Sequence, residues 1–316
     1  SSSGFDINGV IGSYNSDSNI VTLIHKYSQD VWLFDSDTLK YISVTPRNTI
    51  NDITTANITL HTITPPLYVT INNIIYIWAA FFDQGIGMIG YNVTSNSYFD
   101  PQFAGPMAYF PVFNDDRTKC LVTDGECILM IFQDNPLNPR VMFVNICQPP
   151  SFWQINADVP VLNSLNRIEF SCEIMNNKLY FIGGAGPQTN SFNSQNIEIR
   201  FIDITSIQDC VYNLNCPVFT IERALTIETL SDSYNLAHPR FSPQTIPLTI
   251  PFKNSILVVG GYSIQGLIAN TEIIDFTLGQ TRTLPSFDLV LPHKSQSFYA
   301  VAEYESKPEL FIFGGV

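Results

Sequence analysis

Four histidines, six cysteines and two Asn-x-Thr triplets are the residues of this 316-residue chain whose types could do chemistry. The histidines are His25, His61, His238 and His293. A zinc or copper site needs two or three such side chains to converge, and nothing in their spacing brings these together. The carboxylates Glu169, Glu173, Glu198 and Asp203 lie close in sequence. They read as solvated charges on strand edges, which discourage edge-to-edge pairing. The chain has no G-x-S-x-G nucleophile elbow and no GxxxxGK[ST] phosphate loop. The expectation is no catalytic residue, no cofactor and no metal.

The cysteines are Cys120, Cys127, Cys147, Cys172, Cys210 and Cys216. An even number in a chain poor in charge points to an oxidising compartment, and the absence of a CxxC pair argues against a zinc ribbon. Cys210 and Cys216 are the favoured local disulfide, stapling a seven-residue excursion. Cys120 and Cys127 flank an Asp124-Gly125 hairpin turn. In a two-residue turn Thr123 would face Glu126 and Val122 would face Cys127, so a Cys120–Cys127 bridge needs a looser turn. The triplets Asn57-Ile58-Thr59 and Asn92-Val93-Thr94 are glycosylation sequons. With the cysteines they point to secretion.

The elements that must position these residues are short strands. Lys178-Leu179-Tyr180-Phe181-Ile182 runs into Gly183-Gly184. The pattern returns at Ile256 to Val259 with Gly260-Gly261, and at Leu310 to Phe313 with Gly314-Gly315. A continuous apolar run of this length is a strand buried on both faces, and the glycine pair supplies a turn of positive φ. Without the glycines, the pattern recurs at Leu23-Ile24, Ile77-Trp78 and Met130-Ile131-Phe132. The residues after the runs are 25, 79, 132, 183, 260 and 314, in steps of 54, 53, 51, 77 and 54. An aromatic further on is followed seven residues later by another large residue, as in Phe34 and Tyr41 or Tyr91 and Tyr98; at Phe276 the second residue is Thr283.

This series resembles the kelch repeat. The resemblance implies an all-β chain, a kelch-like β-propeller with one four-stranded blade per repeat of about 50 residues. About six blades are expected, in a single domain spanning 1–316: approximately 5–45, 58–103, 107–155, 168–222, 245–284 and a partial 293–316. In the first blade the strands are placed at Phe5 to Tyr14, Asn19 to Lys26, Asp30 to Phe34 and Lys40 to Val44. Asp35-Ser36-Asp37 is read as the turn between the last two. The long fourth step places an insertion between Ile204 and Ile250, with a loop from Ser231 to Pro247 containing His238-Pro239-Arg240. Long loops on a rigid repeat scaffold are where binding resides. The last blade has two of its four strands, so a continuing polypeptide or a neighbouring subunit is expected to supply the others.

Charged residues make up 14% of the chain, against about 25% in an average domain. Net charge is −13, which excludes a general affinity for nucleic acid or anionic lipid. No apolar run reaches the roughly 18 residues of a membrane span. The expected function is a secreted or surface-exposed binding or structural glycoprotein, with a place as a subunit of an extracellular assembly among its expected roles. Its partner would be a protein, a second copy of itself, or a glycan. An alternative is a secreted carbohydrate-acting or copper-oxidase-like propeller enzyme. Against it, no Tyr-His dipeptide and no repeated Ser-x-Asp-x-Gly-x-x-Trp turn occurs. A further alternative is an intracellular kelch adaptor, which the sequons and cysteines disfavour.

Overall fold

The computed structural model describes residues 10–25, 30–45, 51–52, 67–81, 85–99, 120–123, 127–133, 139–145, 151–155, 167, 169–185, 197–205, 220–221, 226–248, 254–285, 297–305 and 307–314. Among them the chain is all-β with almost no helix, and a short 3-10 turn lies at Asp232–Tyr234. It packs as two compact units, Ser1–Asp100 with Leu291–Val316, and Pro101–Val290.

In the first unit, β1 (Val10–Asn15), β2 (Ile20–His25), β3 (Val31–Asp35) and β4 (Lys40–Thr45) form an antiparallel meander. The second sheet holds β5 (Asn51–Asp52), β6 (Leu67–Ile71), β7 (Ile74–Phe81), β8 (Gly85–Asn92) and β9 (Ser97–Phe99), in the order β5-β9-β8-β7-β6. Four of these are a meander, and β5 adds in parallel at the outer edge. Ile11, Ile24 and Val31 of the first sheet pack with Ile75, Ile77, Tyr91 and Tyr98 of the second.

In the second unit, β10 (Cys120–Thr123), β11 (Cys127–Gln133), β12 (Pro139–Asn145) and β13 (Ser151–Ile155) form the third sheet. The fourth contains β14 (Ser171–Met175), β15 (Lys178–Ile182) and β16 (Arg200–Asp203). The chain then adds β17 (Thr220–Ile221) in parallel to β13, and returns as β18 (Ile227–Thr229), the fourth strand of the fourth sheet. The fifth sheet begins with β19 (Gln244–Leu248) and β20 (Ser255–Val259). A small hairpin of β21 (Tyr262–Ser263) and β22 (Gly266–Leu267) follows, and β23 (Glu272–Asp275) and β24 (Gln280–Thr283) complete the sheet. Tyr180, Ile182, Phe201, Ile256, Val258 and Ile274 form the core shared by the fourth and fifth sheets.

The first unit also holds β25 (Ser297–Tyr304) and β26 (Lys307–Gly314), an antiparallel pair. Its Phe298, Ala300 and Phe313 pack on Val21, Leu23 and Phe34. Within each unit first strands lie side by side: β1 beside β25, and β10 beside β14 beside β19. Meanders whose first strands neighbour one another are the blade arrangement of a β-propeller. The expected six blades are more than the described residues show, and the last sheet is the two-stranded partial blade expected there.

Three expectations need correction. Thr123 pairs with Ile128, Val122 with Leu129 and Cys120 with Ile131, so the Asp124-Gly125 turn is wider than two residues. Cys120 therefore faces a residue four positions beyond Cys127, about 13 Å along the strand, too far for a bridge between them. The fourth sheet ends at Thr229 rather than near residue 222. The loop expected from Ser231 to Pro247 gives way to β19 already at Gln244, and its Leu236, Arg240 and Phe241 are buried.

Candidate functional site

The glycine pairs are the natural starting point. Gly183 and Gly184 have φ of 72° and 90°, and Gly260 and Gly261 have 62° and 87°. A Cβ on Gly183 would lie 2.6 Å from the Arg240 carbonyl oxygen, and one on Gly261 would lie 2.5 Å from that of Phe241. Only glycine fits the backbone at these points. Gly314 ends β26, and Gly315 lies outside the described residues.

Each of the two glycine pairs is held by an arginine four residues ahead of its sheet's first strand. Arg167 Nη1 donates to the carbonyls of Gly183 (3.2 Å) and Glu198 (2.8 Å). Arg240 Nη1 donates to those of Gly260 (3.0 Å) and Asn270 (3.1 Å). Glu198 and Asn270 both stand two residues before the third strand of their sheet, so the two clasps are equivalent. Burial, with Arg200 nearby, lowers the Arg167 pKa to about 9, which leaves it charged at neutral pH. Burial also lowers that of Arg240, opposed by Glu272. Glu272 accepts Arg240 Nη2 at 2.5 Å and the Ala237 amide at 2.6 Å. A buried charge requires such partners.

Above this clasp the loop before β19 and the β21–β22 hairpin lock together. Phe241 and Tyr262 exchange both backbone hydrogen bonds, at 2.8 and 3.1 Å, and their rings lie 4.9 Å apart. Ile268 N–H donates to Gly261 (3.0 Å). Glu169, at φ 55°, accepts the Tyr262 hydroxyl and Ser242 Oγ (3.4 Å) on one carboxylate oxygen, and its carbonyl accepts the Ser242 amide. At the hairpin tip Ile264 is 74% exposed and Leu267 42%. The result is an aliphatic tip on a hairpin braced from three sides.

The expected solvated carboxylates divide accordingly. Glu169 and Glu173 are braces between the fourth and fifth sheets, Glu173 accepting Thr245 Oγ1 at 2.8 Å. Glu198 lies 3.5 Å from Arg200. Asp203 is exposed and caps a turn by accepting the Thr205 amide at 3.0 Å. Among the histidines, His25 ends β2 and His238 is exposed, 2.9 Å from Asn270. His61 and His293 lie outside the described residues, as do Asn57, Cys147, Cys210 and Cys216. Among the described residues no three His, Cys, Asp or Glu side chains group as metal ligands. No helix there is long and apolar enough to cross a membrane.

The arginine clasp was missed in the sequence, although its signal is present: Arg167 and Arg240 each precede a strand by four residues. A second repeated device was missed as well. Asn19, Asn73, Asn177 and Asn254, each just before its sheet's second strand, adopt φ of 54° to 63°. Their carbonyls accept the amides of Ser36, Val93, Ile204 and Phe276, each just after the third strand, at 2.9 to 3.1 Å. Asparagine tolerates this left-handed backbone better than other residues with a side chain. No protein-family model and no curated protein matches the chain.

Proposed function

We propose that the chain is a kelch-like propeller that binds a protein partner outside the cell, with the β21–β22 hairpin as its contact element. The observation that carries this reading is the exposed pair Ile264 and Leu267 on a hairpin already fixed by Tyr262, Phe241 and Glu169. An apolar tip held rigid loses little entropy on docking, which favours binding. Its aliphatic character suits an apolar pocket on a protein better than a sugar, which is recognised through hydroxyls. The repeated clasps and the glycine turns support the kelch resemblance and further blades beyond those described.

The Glu169 carboxylate is engaged by Tyr262 and Ser242, so it serves as a structural anchor and no reaction is assigned to it. The even cysteine count and the two sequons support an oxidising compartment. The test is recovery of the tagged full chain from its source cells. Wild-type protein should bring down one partner in stoichiometric amount, and Ile264→Asp should lose it while keeping its melting temperature. Equal recovery by both would overturn the reading.

A further inference from the structure

Four sheets finish their third strand with the same turn. Asp35 Oδ1 accepts the amides of Asp37 (2.8 Å) and Thr38 (3.1 Å). Asp275 Oδ1 accepts those of Thr277 (3.0 Å) and Leu278 (2.9 Å), and Asp203 Oδ1 that of Thr205. In the second sheet the position is Asn92, whose Oδ1 accepts the amides of Thr94 (2.9 Å) and Ser95 (3.0 Å). The turn needs one side-chain oxygen, which Asp and Asn supply equally well. It does not use the second atom of the side-chain fork. In Asn92 that atom is the amide nitrogen, and among the described residues it makes no hydrogen bond.

We propose that Asn92 carries an N-linked oligosaccharide. The Thr two residues on, which the turn also places at 205 and 277, completes the acceptor triplet only here, because only here does an amide replace the carboxylate. Asn92 is half-buried, and Thr94 and Ser95 are exposed, so a sugar on Nδ2 extends into solvent. The substituted amide keeps its carbonyl oxygen, so the turn survives modification. The donor is an oligosaccharide on a lipid diphosphate. The bond from Nδ2 to the anomeric carbon forms, the bond from that carbon to the phosphate oxygen breaks, the lipid diphosphate leaves, and Nδ2 gives one proton to the transferase base. This inference rests on the extracellular reading above.

The experiment is glycopeptide mass spectrometry on the full chain isolated from its own source, beside Asn92→Asp and Thr94→Ala produced in the same cells. Asn92→Asp installs the residue the other sheets use, and Thr94→Ala keeps the asparagine and the backbone amide. The wild-type peptide containing Asn92 should bear a glycan, and each variant should lose the mass of one glycan while matching the melting temperature of the enzymatically deglycosylated wild type. A bare Asn92 in a protein with oxidised cysteines or a glycan at Asn57 overturns the proposal and leaves the extracellular reading standing. A bare Asn92 with six free thiols and no glycan elsewhere overturns both.

Discussion

Arg240 and Glu272 form an ion pair at 2.5 Å with both side chains fully removed from solvent. The pair joins the loop before β19 to the third strand of the same sheet, and Arg240 also caps the carbonyls of Gly260 and Asn270. Its two charges are mutually dependent. Arg240→Ala leaves Glu272 buried without its cation, and breaking a buried pair from one side costs about 3–5 kcal/mol. Chemical denaturation should show that loss for Arg240→Ala. A cost below about 1 kcal/mol, the range of exposed pairs, would contradict the buried geometry.

Gly183→Ala and Gly261→Ala should each destabilise the protein. The left-handed backbone alone costs about 1–2 kcal/mol for a residue with a side chain. The carbonyls of Arg240 and Phe241 leave no room for the added methyl. Gly266→Ala meets nothing within 4 Å and pays the backbone term without the clash. Thermal melting should therefore rank Gly183→Ala and Gly261→Ala below Gly266→Ala.

Asp35 and Asp203 are held below the usual carboxylate range, chiefly by hydrogen bonds from Thr38 and Thr205 respectively. A carboxylate whose folded pKa is depressed contributes stability that is present above its unfolded pKa, about 3.9, and is lost as pH falls through the folded value. Asp35→Asn keeps the turn oxygen and removes the titration. Its stability at neutral pH should match wild type closely, and its acid unfolding should begin at lower pH. Carboxyl NMR titration of Asp35 with an ordinary midpoint would contradict this.

Tyr91 is buried in the core of the first and second sheets, donates to Asn96 Oδ1 at 2.5 Å, and burial raises its pKa to about 12. A raised phenol pKa means stability that is full below the unfolded value of about 10 and lost as pH rises through the folded one. Spectrophotometric titration should show this tyrosine ionising late, close to alkaline unfolding. Tyr91→Phe should leave one fewer late-titrating phenol.

Much of the fold was legible because its marks are local. Strand runs ending in glycine pairs placed β15, β20 and β26. The seven-residue aromatic spacing proved to be a cross-strand pair: Phe34 faces Tyr41 with rings 5.4 Å apart, and Tyr91 faces Tyr98 at 5.0 Å. What escaped was non-local. Glu169 reads as a solvated charge until the hairpin 93 residues away brings the Tyr262 hydroxyl to it. The segment from Ser231 to Pro247 reads as a loop because its apolar residues have no period, yet Leu236 and Arg240 are fixed by partners in other strands. The β17 detour to the third sheet likewise leaves no periodic mark in the chain.

The most direct test of the binding account is photo-crosslinking in the native setting from a single position on the full chain. A probe at Ile264, on the braced hairpin tip, is compared with one at Leu278, 57% exposed in the turn after β23. One discrete protein adduct from position 264, absent from position 278, is the predicted result. The same adducts from both positions, or none from position 264, would contradict the claim that this hairpin is the contact element.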